Sequence, residues 1–458
     1  MQLTAAEVAE AARGVVHGNA TTIATSFAID SRVLDAGACF FALKGNRDGL
    51  DFVPHAFERG ASMAVVDHRG PDAVPNRPLV EVDEPMTALA DCARLARARL
   101  ADTVVVGITG SAGKTATKDL TAAALSRSRR VHASPGSFNN EAGLPLTLLG
   151  APPDTEVLVT EMGARFAGNI AELAELARPR IGVVTHVGMA HAGHLGGRDG
   201  IAQVKGELLE ALPSSGLAVL NADCDASRDL AARTSARVVR VGRGDDADVR
   251  IGAVEVDSEL RPRFTLETPW GSGTIVVGLR GEHQVENAAM AATVALALGV
   301  DIGDVTAGIE RVTAAALRME VVRTADGVIV INDAYNSSPT SAAAAVRSLA
   351  RLPVEGRRIA VLGEMLELGD ASEHEHRAIG ALAADAGIDV IIAVGANAAP
   401  VVEGAGSGVA DRRSVADVDE VVALLDELVR PGDAVLLKAS RAVGLERVAD
   451  ALLEARAR

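Results

Sequence analysis

The stretch VVVGITGSAGKTATKDL, residues 104–120, places an apolar run, a glycine-rich loop and a helix start in direct succession. Gly113 is followed by Lys114 and Thr115. Such a loop directs backbone N–H groups at phosphate oxygens, while the lysine reaches the β and γ oxygens and the threonine hydroxyl binds Mg²⁺. The common form of this loop has glycine where this chain has Ile108, so an ordinary glycine-rich turn is the alternative. The predicted nucleotide-binding loop comprises Gly110, Ser111, Ala112, Gly113, Lys114 and Thr115.

Length and composition limit the class of protein. The chain has 458 residues, of which 48% are hydrophobic and 2% aromatic. Two or three domains are expected, with cores of Ala, Val, Leu and Ile. A net charge of −16 argues against nucleic acid or an anionic membrane as the main partner. An anionic substrate in a locally basic pocket stays possible.

The sequence shows no sign of secretion or membrane insertion. The opening residues MQLTAAEVAEAARG predict a short amphipathic helix and lack the features of a signal peptide. Apolar runs are shorter than the roughly 20 residues of a membrane span. Cys39, Cys92 and Cys224 have no metal-ligand spacing and fit free thiols in a reducing compartment. We therefore expect a cytoplasmic protein, with a monomer as the default.

Three regions differ in their pattern, and together they predict an α/β fold. Residues 1–100 hold short strand-like pieces, which predicts a small mixed domain. In residues 101–314, β-rich runs alternate with helical stretches, which predicts parallel βαβ units in a P-loop ATPase-like sheet. Residues 250–280 predict an antiparallel extension of that sheet. Residues 315–458 repeat the alternation and predict a Rossmann-like, doubly wound domain.

Polar and charged residues follow several predicted strands. They are Lys114, Glu161, His186, Asn221, Asp333 and Glu364. The carboxyl ends of strands in open α/β sheets are where ligands bind. Both α/β regions are therefore predicted to face a cleft with their functional edges.

The segment GITGSAGKTATK resembles the nucleotide loop of the ATP-dependent Mur ligases and of the folylpolyglutamate synthases. Further segments are similar to the Mur ligase family in the same order along the chain: AIDSRVLDAGACFFALKGNRDGLDFV (28–53), SPGSFNNEAGLPLTLL (134–149), GEHQVENAAMAATVALALG (281–299), INDAYNSSPTS (331–341), VLGEMLELGDASEHEHRAIG (361–380) and LLKASRAVGLE (436–446). Folylpolyglutamate synthases lack this kind of N-terminal domain. The resemblance therefore favours the Mur ligases.

Within that family, the third region is similar to the branch that adds a D-Ala-D-Ala dipeptide to UDP-MurNAc-tripeptide. The sister branch, which adds a diamino acid to the dipeptide precursor, typically carries D-N-P-R, and this tetrapeptide does not occur in the chain. The resemblance implies ATP and two Mg²⁺ as cofactors, an acyl phosphate intermediate and an amide product. The sister ligase, a non-catalytic nucleotide-binding relative and a mechanical P-loop NTPase are the alternatives.

The resemblance also implies a metal set of Thr115, Glu161, His191 and Lys205. From the residues alone, Glu161 could be a solvated strand-end carboxylate and Lys205 a surface lysine. His186, His191 and His194 could suggest zinc, although no Cys or acidic ligand accompanies them. The family carbamylates a lysine in the helix that matches Lys205, and it usually has Asn where this chain has His186. We therefore leave His186 out of the metal set.

Further roles follow from the resemblance. Asn139 and Asn140 would lie near the transferred phosphoryl group or the peptide. Asn287 would face the adenine, although Gln284 replaces the first Asn of that motif, and Arg318 would reach the nucleotide phosphates from a hinge near residues 312–318. The implied catalytic set is Lys114, Lys205, His191, Glu161 and Asn140.

The two outer domains would bind the substrates. Asp333 would orient the nucleotide, Tyr335 and Asn336 would place the dipeptide, and Arg441 would bind a carboxylate bidentately. At the N-terminus, the uridine nucleotide would contact Ser31, Arg32 and Lys44.

Overall fold

Three larger β-sheets, each covered by helices, and a two-stranded ribbon organise the chain in a computed structural model that describes residues 1–69, 77–188 and 197–456. The inner parallel strands are short apolar runs whose side chains are buried on both faces, as parallel sheets require, whereas the strands Val249–Val256 and Asp411–Val415 are partly exposed. Helices fill the connections between them. The predicted α/β fold with a small N-terminal domain and two larger parallel sheets is confirmed.

The N-terminal part has a five-stranded sheet of order β2-β7-β6-β5-β4, in which only the β2–β7 pair is antiparallel. Its elements are β1 Leu3–Thr4, α1 Ala5–Ala12, β2 Val15–His17, β3 Ile23–Ala24, β4 Ser26–Ala28, β5 Ala38–Phe41, α2 Val53–Glu58, β6 Met63–Val66, β7 Leu79–Glu81 and α3 Pro85–Arg99. Phe40, Phe41 and Met63 are fully buried in its core. The predicted N-terminal helix is α1, which Thr4 and Glu7 close with a capping box.

The central part has a nine-stranded sheet of order β16-β15-β14-β13-β12-β11-β8-β10-β9. Its elements are β8 Val104–Thr109, α4 Lys114–Ser126, β9 Val131–Ala133, α5 Gly143–Gly150, β10 Val157–Glu161, α6 Asn169–Ala177, β11 Ile181–Val184, α7 Gly197–Glu210, β12 Leu217–Asn221, α8 Asp225–Leu230, β13 Arg237–Gly242, β14 Val249–Val256, β15 Pro262–Thr268, β16 Gly271–Val276, α9 Gln284–Ala297 and α10 Ile302–Glu310. Strands β8 to β13 are parallel to one another, as is the β13–β14 pair, and β14 to β16 form the predicted antiparallel extension. Strands β9 and β13 and helix α5 were not predicted.

The C-terminal part has a six-stranded sheet of order β17-β18-β22-β19-β20-β21, parallel except at β17. Its elements are β17 Glu320–Arg323, β18 Ile329–Asn332, α11 Pro339–Arg351, β19 Arg358–Gly363, α12 Ser372–Asp385, β20 Val390–Val394, α13 Pro400–Ala405, β21 Asp411–Val415, α14 Val418–Leu428, β22 Ala434–Lys438 and α15 Glu446–Arg456. Helices cover both faces, as in doubly wound sheets.

All six polar residues expected at strand ends lie there, at the carboxyl edges of the two larger sheets. Cys39, Cys92 and Cys224 are buried free thiols, as predicted. No helix in the described ranges has both the length and the hydropathy that a membrane span needs.

Candidate active site

A cavity of about 1090 Å³ lies between the carboxyl edge of the central sheet and the turn after β18. The phosphate loop, the end of β10 and helix α7 line it from the central part, and residues 333–341 line it from the C-terminal part. Two sheets therefore build one site, as the strand-end residues predicted.

The loop between β8 and α4 depends on two glycines with positive φ. Gly110 has φ 151°, and a Cβ there would lie 2.0 Å from the Oγ1 atom of Thr185. Gly113 has φ 82° and forms the N-cap of α4. The Ser111 N–H donates to the His186 carbonyl (2.7 Å), which fixes the loop against the end of β11. Ile108, where the common pattern has glycine, is a buried residue of β8, so this loop obtains its backbone freedom at Gly110 instead.

The Glu161 carboxylate is held at both oxygens. The Thr115 hydroxyl donates to Oε2 (2.8 Å) and the Asn139 amide donates to Oε1 (2.7 Å). Glu161 and Thr115 are buried, so their oxygen atoms are fixed beside the phosphate loop. An anionic oxygen next to a hydroxyl oxygen suits a hard cation that keeps most of its waters, such as Mg²⁺. The described residues contain no group of three or more His, Cys, Asp or Glu that could hold a metal.

Two lysines face this carboxylate region from different elements. The Lys114 ammonium donates to the Gly110 carbonyl (2.7 Å), and burial lowers its pKa, which the Glu161 charge opposes. Lys205 lies on α7 and is 2% exposed. Burial, together with the positive charge of Lys114, lowers the pKa of Lys205 to about 7. A substantial fraction of Lys205 is therefore a neutral, nucleophilic amine near neutral pH.

The loop between β9 and α5 carries both predicted asparagines. Asn139 contacts Glu161, whereas the Asn140 Oδ1 atom accepts the Gly143 N–H (2.9 Å) at the start of α5. Beneath this loop the buried Lys118 donates to the carbonyls of Ser134 (2.6 Å) and Gly136 (3.0 Å). Helix α4 therefore fixes the asparagine loop as well as the phosphate loop.

Asn287 lies against the phosphate loop. Its Oδ1 atom accepts the Thr117 hydroxyl (3.3 Å), and its amide donates to Gln284 (2.9 Å). A Cβ on Gly113 would lie 2.4 Å from the same Oδ1 atom. Gln284, which departs from the family pattern, thus serves as the partner that orients Asn287.

The C-terminal contribution centres on the turn after β18. The buried Asp333 carboxylate accepts the Met319 N–H (3.1 Å) and pairs with the Lys438 ammonium (2.9 Å). The Arg318 guanidinium stacks on the Tyr335 ring, with 3.9 Å between the guanidinium carbon and the ring centroid. Asn336 is exposed at the cavity wall.

Most of the predicted site residues meet at this cavity. Its lining includes Ser111, Ala112, Gly113, Lys114, Thr115, Asn139, Asn140, Glu161, Lys205, Asn287, Arg318, Asp333, Tyr335 and Asn336. Gly110 lies in the same loop, outside the lining. His191 and His194 lie outside the described residues.

Four predicted residues are elsewhere. Three of them lie in the N-terminal part, away from the cavity lining: Ser31, Arg32 and Lys44. The Ser31 hydroxyl contacts His55 (2.9 Å). Arg32 pairs with Asp30 (2.6 Å) and Lys44 with Asp67 (3.0 Å). The other is Arg441, at the carboxyl edge of the C-terminal sheet but also outside the lining.

Arg441 does not line the cavity, and its contact with a substrate carboxylate stays a prediction. The guanidinium pairs with Glu446 (3.0 Å), the first residue of α15, and its side chain is 55% exposed. The short 3₁₀ turn that begins at Arg441 directs it toward that helix. Its predicted role therefore requires a different side-chain conformation.

The sequence reasoning missed three polar residues at the site: Ser137, Lys118 and Lys438. A signal existed for the lysines, because the chain has only five, at positions 44, 114, 118, 205 and 438, against 45 lysines and arginines in total. Where arginine supplies nearly all surface cations, a retained lysine indicates a place for a compact ammonium. Ser137 carried no comparable signal.

Comparison with known proteins agrees with this geometry. The profile of the Mur ligase middle domain matches residues 108–295, and that of the "Mur ligase, glutamate ligase domain" matches residues 317–441. The chain is 43% identical to the UDP-N-acetylmuramoyl-tripeptide--D-alanyl-D-alanine ligase of Mycobacterium bovis, with 99% of this chain and 98% of that protein covered.

Solved structures agree as well. MurF from Acinetobacter baumannii superposes with a TM-score of 0.88 at 30% identity and 99% coverage of both chains. The MurF ligase of Thermotoga maritima, solved in complex with ADP, superposes with a TM-score of 0.78 at 29% identity, covering 94% of this chain and 97% of that one. With its sequence, its fold and its phosphate loop all in agreement, this chain belongs to the Mur ligase family.

Proposed function

We propose that this chain is an ATP-dependent ligase that joins the amino group of D-Ala-D-Ala to the terminal carboxylate of UDP-MurNAc-tripeptide, in the cytoplasmic synthesis of peptidoglycan precursors. The observation that carries the proposal is that the phosphate loop, the held carboxylate of Glu161 and the buried Lys205 face one cavity shared with the C-terminal turn. The whole-length similarity to the mycobacterial ligase supports this choice of substrates.

A carboxylate at neutral pH needs a better leaving group before an amine can displace it. In the proposed reaction the γ-phosphoryl group of ATP is transferred to the tripeptide carboxylate, which gives an acyl phosphate. The dipeptide amine attacks the carbonyl carbon, and inorganic phosphate leaves as the amide bond forms. The phosphate-loop N–H groups, Lys114 and Arg318 stabilise the charge of the phosphoryl group during transfer.

The bound ADP of the Thermotoga maritima ligase supports ATP as the nucleotide here. Thr115 and Glu161 fit Mg²⁺, because their oxygen atoms are buried, adjacent and of the type that this ion prefers. Bound Mg²⁺ would neutralise negative charge on the nucleotide phosphates. Asn139 keeps the carboxylate oriented through its amide hydrogen bond.

A carbamate on Lys205 is part of the proposal. The neutral amine that burial favours reacts with CO₂, losing a proton, and the product is an anion at the position of a former cation. With His191, it would complete a second Mg²⁺ site. Burial also shields the carbamate from acid-catalysed loss.

Each of the three parts of the chain is proposed to bind a different ligand. Residues 1–100 bind the uridine nucleotide through Ser31, Arg32 and Lys44, residues 101–314 bind ATP, and residues 315–458 bind the dipeptide near Tyr335 and Asn336. The boundaries fall in the connectors between α3 and β8 and between α10 and β17.

Phosphate release from ATP with purified protein tests the proposal. We expect release that requires Mg²⁺, UDP-MurNAc-tripeptide and D-Ala-D-Ala together, and a product with the mass of the pentapeptide precursor. Release with UDP-MurNAc-dipeptide and a diamino acid would instead assign the sister reaction. ATP binding without turnover in every combination would support a non-catalytic relative.

The carbamate has its own test, which does not depend on activity. Intact-protein mass spectrometry after trapping with an alkylating agent should show one carbamate in the wild type and none in Lys205→Met. Since only the neutral amine reacts, ¹³C-bicarbonate should give a lysine carbamate resonance that weakens as the pH falls below about 7. A wild type without this resonance contradicts the carbamate.

A further inference from the structure

Two loops from different sheets meet at the hydroxyl of Ser137. The Tyr335 hydroxyl donates to the Ser137 Oγ atom (2.9 Å), and the Arg318 guanidinium donates to the same atom (3.2 Å). Ser137 belongs to the asparagine loop of the central part, and Tyr335 belongs to the turn after β18. One oxygen atom therefore contacts side chains from both halves of the cavity.

Each of these loops is anchored by a buried lysine. Lys118 donates to the carbonyls of Ser134 and Gly136, directly before Ser137. Lys438 donates to the Asn336 carbonyl (2.5 Å), directly after Tyr335. Both lysines are nearly fully buried. Because each ammonium holds backbone atoms, the meeting point is set by the two folds rather than by mobile side chains.

The two contacts leave the Ser137 hydroxyl able to make one further hydrogen bond, as a donor. A serine oxygen has two acceptor lone pairs and one O–H donor. The guanidinium of Arg318 can only donate, and the Tyr335 hydroxyl donates in this geometry. With both lone pairs used, Ser137 can offer only its proton to a third group. Such a donor suits an anionic oxygen.

We propose that Ser137 is a substrate-positioning residue whose hydroxyl donates a hydrogen bond to an anionic oxygen in the cavity, either of the carboxylate that is activated or of the phosphoryl group that it receives. The proposal rests on the function proposed above. Ser137 lines the cavity and is half-buried, so its proton is available to a ligand. Arg318 next to it adds the positive charge that draws an anion to this place.

Two substitutions separate this role from a purely structural bridge. Ser137→Ala and Tyr335→Phe both remove the hydrogen bond between the two loops, and Ser137→Ala also removes the one from Arg318. A purely structural bridge therefore predicts a clear loss of activity in Tyr335→Phe as well. A donor predicts unequal losses, because Tyr335→Phe leaves the serine proton in place and keeps the ring under Arg318. We expect kcat/KM for UDP-MurNAc-tripeptide to fall between about 10-fold and 150-fold in Ser137→Ala and about threefold or less in Tyr335→Phe.

Two binding measurements identify the anionic oxygen. If Ser137 contacts the substrate carboxylate, Ser137→Ala weakens UDP-MurNAc-tripeptide binding and leaves the affinity for a non-hydrolysable ATP analogue unchanged. If it contacts the phosphoryl group, the analogue binds more weakly instead. Ser137→Thr keeps the hydroxyl and should retain activity. Ser126→Ala, at the exposed end of α4, is the matched control and should behave as wild type.

Equal losses in Ser137→Ala and Tyr335→Phe, or a Ser137→Ala enzyme with wild-type kcat and KM, would overturn the proposal. Melting temperatures of all variants exclude misfolding as the cause of a loss. Failure of the proposed function is distinguishable, because it would appear as absent D-Ala-D-Ala ligation in the wild type itself. Normal wild-type ligation with an unaffected Ser137→Ala variant would refute only the role of Ser137.

Discussion

Residue chemistry at this site depends on placing a few compact charges in buried positions. Lys118, Lys205 and Lys438 are each at most 3% exposed, yet they do not share one role. Lys118 and Lys438 use their ammonium protons on backbone carbonyls. Burial lowers the pKa of Lys205 to about 7, so this amine can change its chemical state. A guanidinium could not replace it, since arginine stays charged.

The most direct residue-scale prediction concerns Glu161. Glu161→Gln keeps the side-chain shape but removes the negative charge placed between Thr115 and Asn139. We expect kcat/KM to fall by at least about 100-fold, because the phosphates lose a charged metal ligand. Mg²⁺-dependent ATP binding should weaken in parallel, measured by calorimetry at several Mg²⁺ concentrations.

Glu156→Gln is the matched control for this substitution. Glu156 lies just before the opposite end of the same strand and pairs with Arg130 at an exposed site (3.2 Å). Exposed pairs of this kind contribute little to stability, so activity and Mg²⁺ dependence should stay at wild-type values. An active Glu161→Gln variant with normal Mg²⁺ dependence would contradict the metal-ligand role.

Among the secondary-structure elements, α10 supports the helix that begins with Lys114. A Cβ on Gly308 would lie 2.2 Å from the Ala123 carbonyl oxygen of α4, so only glycine permits this approach. Gly308→Ala should lower the free energy of unfolding by about 1–3 kcal/mol, measured by denaturant titration. Gly45→Ala, where no atom lies within 4 Å of the new Cβ, should change it by less than about 0.5 kcal/mol. Equal stability of both variants would show that the close contact between α10 and α4 at Gly308 does not contribute to stability.

Helix α12 contains a fully buried histidine, His376. Its Nε2 atom accepts the Met365 N–H (2.9 Å), and its Nδ1 atom contacts the Ser372 carbonyl (2.7 Å), so the neutral ring fits both partners. Burial lowers the pKa of His376 below its usual 6.5, although the carbonyl and nearby carboxylates oppose the shift. This histidine anchors the segment that follows β19.

The consequence is a pH-dependent stability. Below pH 6.5 the unfolded chain binds a proton at His376 more readily than the folded chain does, so stability falls as the pH decreases from 6.5. His376→Gln should reduce this loss by up to about 1.4 kcal/mol per pH unit, measured by denaturant unfolding between pH 7 and pH 5. His374→Gln, exposed on the same helix, should leave the slope unchanged. If the free energy of unfolding changed equally with pH in the wild type and both variants, His376 would not be the source of the pH dependence.

At the scale of the whole molecule, the cavity is complete only where the central and C-terminal sheets face each other. The connector between them holds Leu317 with φ 62° and Met319 with φ 51°, on either side of Arg318. Left-handed conformations are strained for such side chains and persist only when their surroundings enforce them. This supports the predicted hinge near residues 312–318. A ligand-bound crystal structure with a different domain arrangement but unchanged dihedrals there would refute it.

Tyr335 is the single tyrosine of the chain and contacts Ser137 across the two sheets, so it can report on their arrangement. Incorporation of 3-fluorotyrosine should give one ¹⁹F resonance. We expect this resonance to shift when an ATP analogue, Mg²⁺ and UDP-MurNAc-tripeptide are added, and Ser137→Ala should change its position in the free protein. An unchanged resonance in both experiments would mean that the contact neither forms in solution nor responds to substrates.

The sequence by itself determined the features that depend on neighbours along the chain. The loop of residues 110–115, the strand-end position of Glu161 and the alternation of strands and helices all follow from local residue order and periodicity. The resemblance to the family then predicted a role for Lys205, which no local pattern distinguishes from a surface lysine.

Only the tertiary structure decided which of these residues act together. Ser137 and Tyr335 are 198 positions apart, and their contact requires two separate sheets to face one another. The same reason applies to Arg441, which local sequence placed at the correct sheet edge but which turns toward Glu446. Strand order and sheet orientation arise from packing of the buried faces, and a sequence pattern shows which faces are buried without showing what they pack against.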